Sequence, residues 1–153
     1  MVSDLYRHRR AFWAALADAA PALASRTDYA TEHSRWLAVG PMPLVIAHYI
    51  ANGSAGIFVR GARRVRTPLI REFLFPHRAF LAQALGRPDL KLGTSFPLSG
   101  GVRTDMRDEA NWPRAIDWFV EQSPVYERAL IALQKGGATG AASPGASEWD
   151  FVV

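Results

Sequence analysis

The stretch Leu44-Val45-Ile46-Ala47-His48-Tyr49-Ile50-Ala51-Asn52-Gly53-Ser54-Ala55-Gly56-Ile57-Phe58-Val59-Arg60 decides the fold. Two segments rich in β-branched and aromatic residues, Leu44 to Ala51 and Ala55 to Arg60, flank Asn52-Gly53, a pair that accepts the positive φ angles of a tight hairpin turn. The reading is an antiparallel pair. One step back along the chain, Trp36 to Val39 reads as a further strand, closed by the turn Gly40-Pro41. Strand alternation places Ile46, His48 and Ile50 on one face, which predicts that His48 is a buried, hydrogen-bonded core histidine and not a general base.

Helical patterns lie on either side of this meander. From Asp4 to Ala19, with Ser3 as N-cap, the residues Leu5, Phe12, Trp13, Leu16 and Ala20 form one apolar stripe, and Pro21 limits the helix. After the strands, Thr67-Pro68 reads as an N-cap followed by Pro at the first helical position, with Leu69, Ile70, Phe73, Leu74, Phe80, Leu81 and Leu85 at helical spacing. Pro76 must kink or split this helix, and Gly86 and Pro88 end it. Lys91 to Phe96 and Gly101 to Arg107 read as a second hairpin, with Ser99-Gly100-Gly101 as its turn. A last helix begins near Asn111 and carries Trp112, Ile116, Phe119, Tyr126, Leu130 and Leu133, with a kink at Ser123-Pro124. The order α-βββ-α-ββ-α predicts a single α+β domain over residues 1–135, with about five strands in an antiparallel or mixed sheet and three main helices. Residues 136–153 read as a Gly/Ala/Ser-rich flexible tail ending in Glu148-Trp149-Asp150-Phe151-Val152-Val153, an aromatic and acidic peptide.

Composition narrows the chemistry. The 153 residues are 49% hydrophobic and 21% charged, as in globular domains, and contain no cysteine, which excludes disulfides, thiolate nucleophiles and Cys-ligated metals. Arg7, Arg9 and Arg10 before an apolar run imitate a secretory signal, but Asp18 closes the run and its aromatics fall on one helical face. A cytoplasmic chain with no membrane span is therefore expected. Of 18 basic residues only Lys91 and Lys135 are lysine. A net charge of +4 carried by guanidinium groups suits forked contacts to phosphate or carboxylate.

The most concentrated basic feature is Arg60-Gly61-Ala62-Arg63-Arg64-Val65-Arg66-Thr67-Pro68, where four arginines cross from a strand end into a helix start, with Arg71 one turn further. Guanidinium forks, backbone N–H groups and the positive end of a helix dipole are the means by which proteins hold anions. Arg60, Arg63, Arg64, Arg66 and Arg71 are thus the candidate anion or nucleic-acid contact set, and Arg7 and Arg10 on the first helix form a secondary basic patch. Solvated arginine is the competing reading for both.

Enzymatic signatures are sparse. Asp89-Leu90-Lys91 is the one acid-x-Lys triplet and reads as a turn, while Asp105, Asp108 and Glu109 read as residues favoured near a helix start. His8, His33, His48 and His77 have no metal-ligand spacing, so neither metal nor cofactor is assigned. No nucleophile elbow, phosphate-binding loop or dinucleotide fingerprint occurs. Trp13, Trp36, Trp112, Trp118, Phe73 and Phe80 are read as core residues, with one of Trp112 and Trp118 left for an edge or interface.

Four segments carry a resemblance: Arg9-Arg10-Ala11-Phe12-Trp13, Gly56-Ile57-Phe58-Val59-Arg60-Gly61, a helix ending Leu85-Gly86, and Asn111-Trp112-Pro113-Arg114-Ala115-Ile116-Asp117-Trp118. Over most of residues 4–134 the chain resembles the bacterial family known as domain of unknown function 4268. Members are often joined to restriction-nuclease-like domains, so the resemblance implies a nucleic-acid or defence context. The chain departs from that pattern at Phe80-Leu81-Ala82-Gln83, where acidic residues are usual. The expectation is a non-enzymatic binding module for nucleic acid or another polyanion. A protein-interaction or homo-oligomerising module is the alternative, and a metal-dependent nuclease or hydrolase stands third.

Overall fold

The computed structural model describes residues 4–42, 44–90, 92–93 and 96–135. Five strands, β1 (Tyr29–Ala30), β2 (Ser34–Val39), β3 (Leu44–Ala51), β4 (Ser54–Gly61) and β5 (Gly100–Arg103), form one sheet in the order β1-β2-β3-β4-β5, antiparallel throughout. Five helices accompany it: α1 (Asp4–Ala19), α2 (Pro21–Ala24), α3 (Thr67–Leu74), α4 (Arg78–Ala84) and α5 (Trp112–Gln134). The α+β class holds, and the sheet is antiparallel, not mixed. Among the described residues no helix is long and apolar enough to cross a membrane.

Several expectations are met at the residue level. α1 spans Asp4–Ala19 and buries Phe12, Trp13 and Leu16. The β3–β4 hairpin turns at Asn52-Gly53, with Ala51 opposite Ser54, although neither turn residue takes the positive φ that such a pair accepts. Pro76 splits the middle helix, because it falls in the 3-10 turn Phe75–His77 that separates α3 from α4. Gly86 then ends α4 with a φ of +66°, a conformation that glycine adopts without strain. Ser3, the Leu5 side chain and the tail from 136 to 153 lie outside the described residues.

Three expectations are corrected. β1 is an additional edge strand of two residues, too short for a periodic signal. Among the described residues the second hairpin is not seen: residues 92–93 are not strand, and 91, 94 and 95 lie outside the described residues. Its expected second half instead pairs with β4, so Gly100 and Gly101 lie within β5 and not in a turn. Close approach explains that partner. A Cβ on Gly101 would stand 2.4 Å from the Ala55 carbonyl oxygen and 2.9 Å from Gly56 Cα, so only a bare backbone fits there. The element order is accordingly α-ββββ-α-β-α when the split helices are counted together.

All helices pack on one side of the sheet. The core joins Phe12, Trp13, Leu16, Ile70, Leu74, Leu81, Phe119, Tyr126 and Leu130 of the helices to Leu37, Val39, Leu44, Ile46, Ile50, Ile57, Val59 and Val102 of the strands. His48 belongs to this face. It is 3% exposed, its Nδ1–H donates to the Arg35 carbonyl at 3.3 Å, and its Nε2 meets the Ser123 hydroxyl of α5. A second buried polar link holds the segment after α4: Arg87 donates to the Tyr126 hydroxyl at 2.8 Å, and that hydroxyl donates to the Leu98 carbonyl at 2.7 Å.

Candidate functional site

The other face of the sheet carries no described helix. Strand alternation directs Ser34, Trp36 and Ala38 of β2, Val45, Ala47 and Tyr49 of β3, and Gly56, Phe58 and Arg60 of β4 to it. The register lines these residues up in rows. Tyr29, Trp36, Ala47 and Phe58 are successive cross-strand neighbours, and Phe96 adds itself edge-on to Phe58 at 5.0 Å. The next row joins Ala38, Val45 and Arg60. Val45 and Ala47 are 4% and 0% exposed, yet they belong to no helix-packed core. The large side chains around them, Trp36, Phe58 and Arg60, shield them instead.

Arginine is woven into this aromatic row. Arg60 turns back across the sheet so that its guanidinium lies 3.7 Å above the Trp36 ring, and its Nε donates to the Gly61 carbonyl at 2.9 Å. The Trp36 and Tyr29 rings are 4.6 Å apart, and the Arg63 guanidinium lies 5.0 Å from the Tyr29 ring. Partial burial pushes the Arg60 pKa below its ordinary value, which still leaves it cationic at neutral pH. At the far end of the face, Arg103 is exposed and stands opposite Ser54. Among the described residues, no carboxylate lies within salt-bridge distance of Arg60, Arg63, Arg64, Arg66, Arg71 or Arg103.

The candidate set is therefore divided. Arg60 and Arg63 are brought onto the sheet face. Arg64 and Arg66 are exposed on the loop beyond it, Arg64 with a left-handed φ of 75°. Arg71 is half-buried on α3, with its Nε shielded from solvent and without a hydrogen-bond partner. The expected contribution of the helix start is corrected. Thr67 is the first helical residue and Arg66 the cap position, without a side-chain cap. Pro68 has no N–H, and Leu69 and Ile70 both donate to the Arg66 carbonyl. Little of the helix's positive end is left for an anion.

The secondary patch lies elsewhere. Arg10 lines a concavity with Trp13, Ala17, Thr27 and Arg35, on the α1 side of the sheet. Arg7 is exposed one turn earlier on that helix. Arg60 and Arg63 thus lie on the opposite side of the sheet from Arg10. Arg9, between Arg7 and Arg10 on α1, pairs with Glu32 at 2.7 Å.

Other candidates have partners close by in the chain. Asp105 pairs with Arg107 at 3.0 Å, and Asp108 accepts from the Ala110 N–H at 3.0 Å, capping the turn before α5. Among the described residues no group of three His, Asp or Glu side chains could hold a metal ion. Trp112 is buried and donates to the Met106 carbonyl at 2.8 Å, whereas Trp118 is half-buried beside Val102 and Arg103. Trp36 is the aromatic residue that sequence reasoning misplaced. Read as core, it stands on the open face with Tyr29, Tyr49, Phe58 and Phe96. A usable signal was present in β4, where Phe58 and Arg60 alternate with the buried Ile57 and Val59.

No family model, curated protein or solved structure matches the chain.

Proposed function

We propose that the protein is a cytoplasmic, non-enzymatic binding module for nucleic acid or another polyanion, and that the helix-free sheet face with its adjoining arginine loop is the contact surface. One observation carries this reading. Arg60 and Arg63 are held against Trp36 and Tyr29 with no carboxylate opposite them, so the cluster presents positive charge that the described residues do not neutralise. Aromatic contact restrains the guanidinium groups and lowers the entropy lost when an anion is gripped. Arg64 and Arg66 extend the charge along the loop, and Arg71 stands behind it.

Fluorescence anisotropy with labelled oligonucleotides across a salt series tests the proposal. Affinity should fall steeply as salt rises. The Arg63→Ala/Arg64→Ala double variant should bind more weakly, with a shallower salt slope and a similar loss for unrelated sequences. Full affinity in that variant removes the site.

Self-association through the same face is the second reading, favoured by Phe96, an aromatic side chain left 58% exposed against Phe58. Sedimentation of the wild type and of Phe96→Ala over a range of concentrations separates the two.

A further inference from the structure

We infer that the open sheet face takes single-stranded nucleic acid, with bases stacked on its aromatic and guanidinium surfaces and phosphates carried by the arginines at its margins. The inference rests on the polyanion-binding reading and adds to it a requirement for bases.

Charge alone would not call for the residues found between the arginines. The face alternates planar groups: Arg63 on Tyr29, Tyr29 beside Trp36, Arg60 on Trp36, and Phe58 against Phe96. Tyr49 lies 5.9 Å from Phe58, centroid to centroid, and continues the surface toward β5. Rings and guanidinium planes are the groups on which unpaired bases stack, and such stacking tolerates any sequence because every base has a π-face. Double-stranded nucleic acid hides its bases, so it could use the arginines but not the rings.

Dimensions agree with a strand laid across the face. From Arg60 to Ser54, the residue opposite Arg103, β4 spans about 20 Å at roughly 3.4 Å per residue, so cationic groups stand at both ends with aromatics between. That length suits roughly four nucleotides, at the lower end of the sites used by sheet-based single-strand binders. The face is a platform, and Phe96 stands out from it as the most accessible ring.

The experiment compares four probes by anisotropy at one salt concentration: a 20-nucleotide oligo-dT, the RNA oligo-U of the same length, an abasic oligomer with the same number of phosphates, and a self-complementary duplex. Oligo-dT or oligo-U should bind about tenfold or more tightly than the abasic oligomer, since each stacked base contributes a several-fold gain. Trp36→Ala and Phe96→Ala should each reduce oligo-dT affinity about fivefold or more, and Phe96→Ala, whose ring packs on Phe58 and on no arginine, should leave the salt slope and the abasic affinity unchanged. Phe96 is exposed, so its truncation keeps the test valid if Trp36→Ala unfolds.

Equal affinity for oligo-dT and abasic oligomer, or tighter binding of duplex than of either strand, overturns the stacking inference and leaves the polyanion reading intact. Binding of none of the four overturns both.

Discussion

The Arg60 guanidinium lies 3.7 Å above the ring of Trp36, although 24 positions separate the two in the chain and β3 runs between their strands. The contact bridges β3, shields Val45 and Ala47 beneath it, and keeps on the sheet face a cation that has no acid partner among the described residues. A cation over an indole is worth about 0.5–2 kcal/mol depending on desolvation. A double-mutant cycle on Arg60→Ala and Trp36→Ala, followed by urea unfolding, should give a coupling of about 1 kcal/mol. Arg60→Lys should recover only part of it, because an ammonium lacks the planar fork that stacks. Additive effects in the cycle would show that the pair is merely adjacent.

His48 sets a pH dependence of stability. Burial pushes its pKa from 6.5 down to about 4, against a small opposing effect of its hydrogen bond to the Arg35 carbonyl. The unfolded chain therefore binds a proton that the folded chain refuses. Stability should fall as pH drops from about 6.5 to about 4, by at most about 3 kcal/mol, and flatten below that for this group. His77, with its pKa also lowered by burial, acts in the same direction. Urea unfolding of wild type and His48→Gln across that range checks the assignment. The variant should lose most of the slope, and an unchanged slope would transfer the effect to other groups.

The pairing of β5 depends on two facing glycines. Gly101 stands opposite Gly56 in the register, and a Cβ on either would press on backbone, 2.4 Å from the Ala55 oxygen for Gly101 and 2.3 Å from the Gly100 oxygen for Gly56. Gly101→Ala should destabilise the fold by about 1–3 kcal/mol, as overpacking does. Hydrogen exchange should rise first at residues 54–57, where β4 meets β5, while the β2–β3 ladder stays protected.

Tyr126 is wholly buried, and its hydroxyl links Arg87 to the Leu98 carbonyl. Tyr126→Phe preserves the packing but leaves the Leu98 carbonyl and one guanidinium N–H unpaired, at a cost of about 1–3 kcal/mol. The expected outcome is a lower unfolding midpoint with unchanged far-ultraviolet circular dichroism. Because the hydroxyl lies on the helix side of the sheet, binding at the open face should be preserved at temperatures where the variant is folded.

Legibility in the sequence varied with the range of the interaction. The arginine loop was visible as a local cluster, but the division within it was not. Arg63 reaches Tyr29, 34 positions away, and nothing near Arg63 announces that contact. Arg60 could have been paired with Phe58 from strand alternation alone. Trp36 could not be placed on either face, because β2 shows hydrophobic residues on both: Leu37 and Val39 inward, Trp36 outward. The helix start at Thr67-Pro68 was located to within one residue, yet its capacity for anions depended on which N–H groups the Arg66 carbonyl takes.

The sequence by itself determined the β3–β4 hairpin, the span of α1, the break at Pro76 and the α+β class, since turn chemistry, helical periodicity and proline geometry act over a few residues. Only the tertiary structure decided which sheet face the helices cover and which partner β5 takes. Alternation defines two faces for every strand, but the face that becomes the core is chosen where the apolar stripes of distant helices converge, and the other face is left holding Trp36, Phe58 and Arg60.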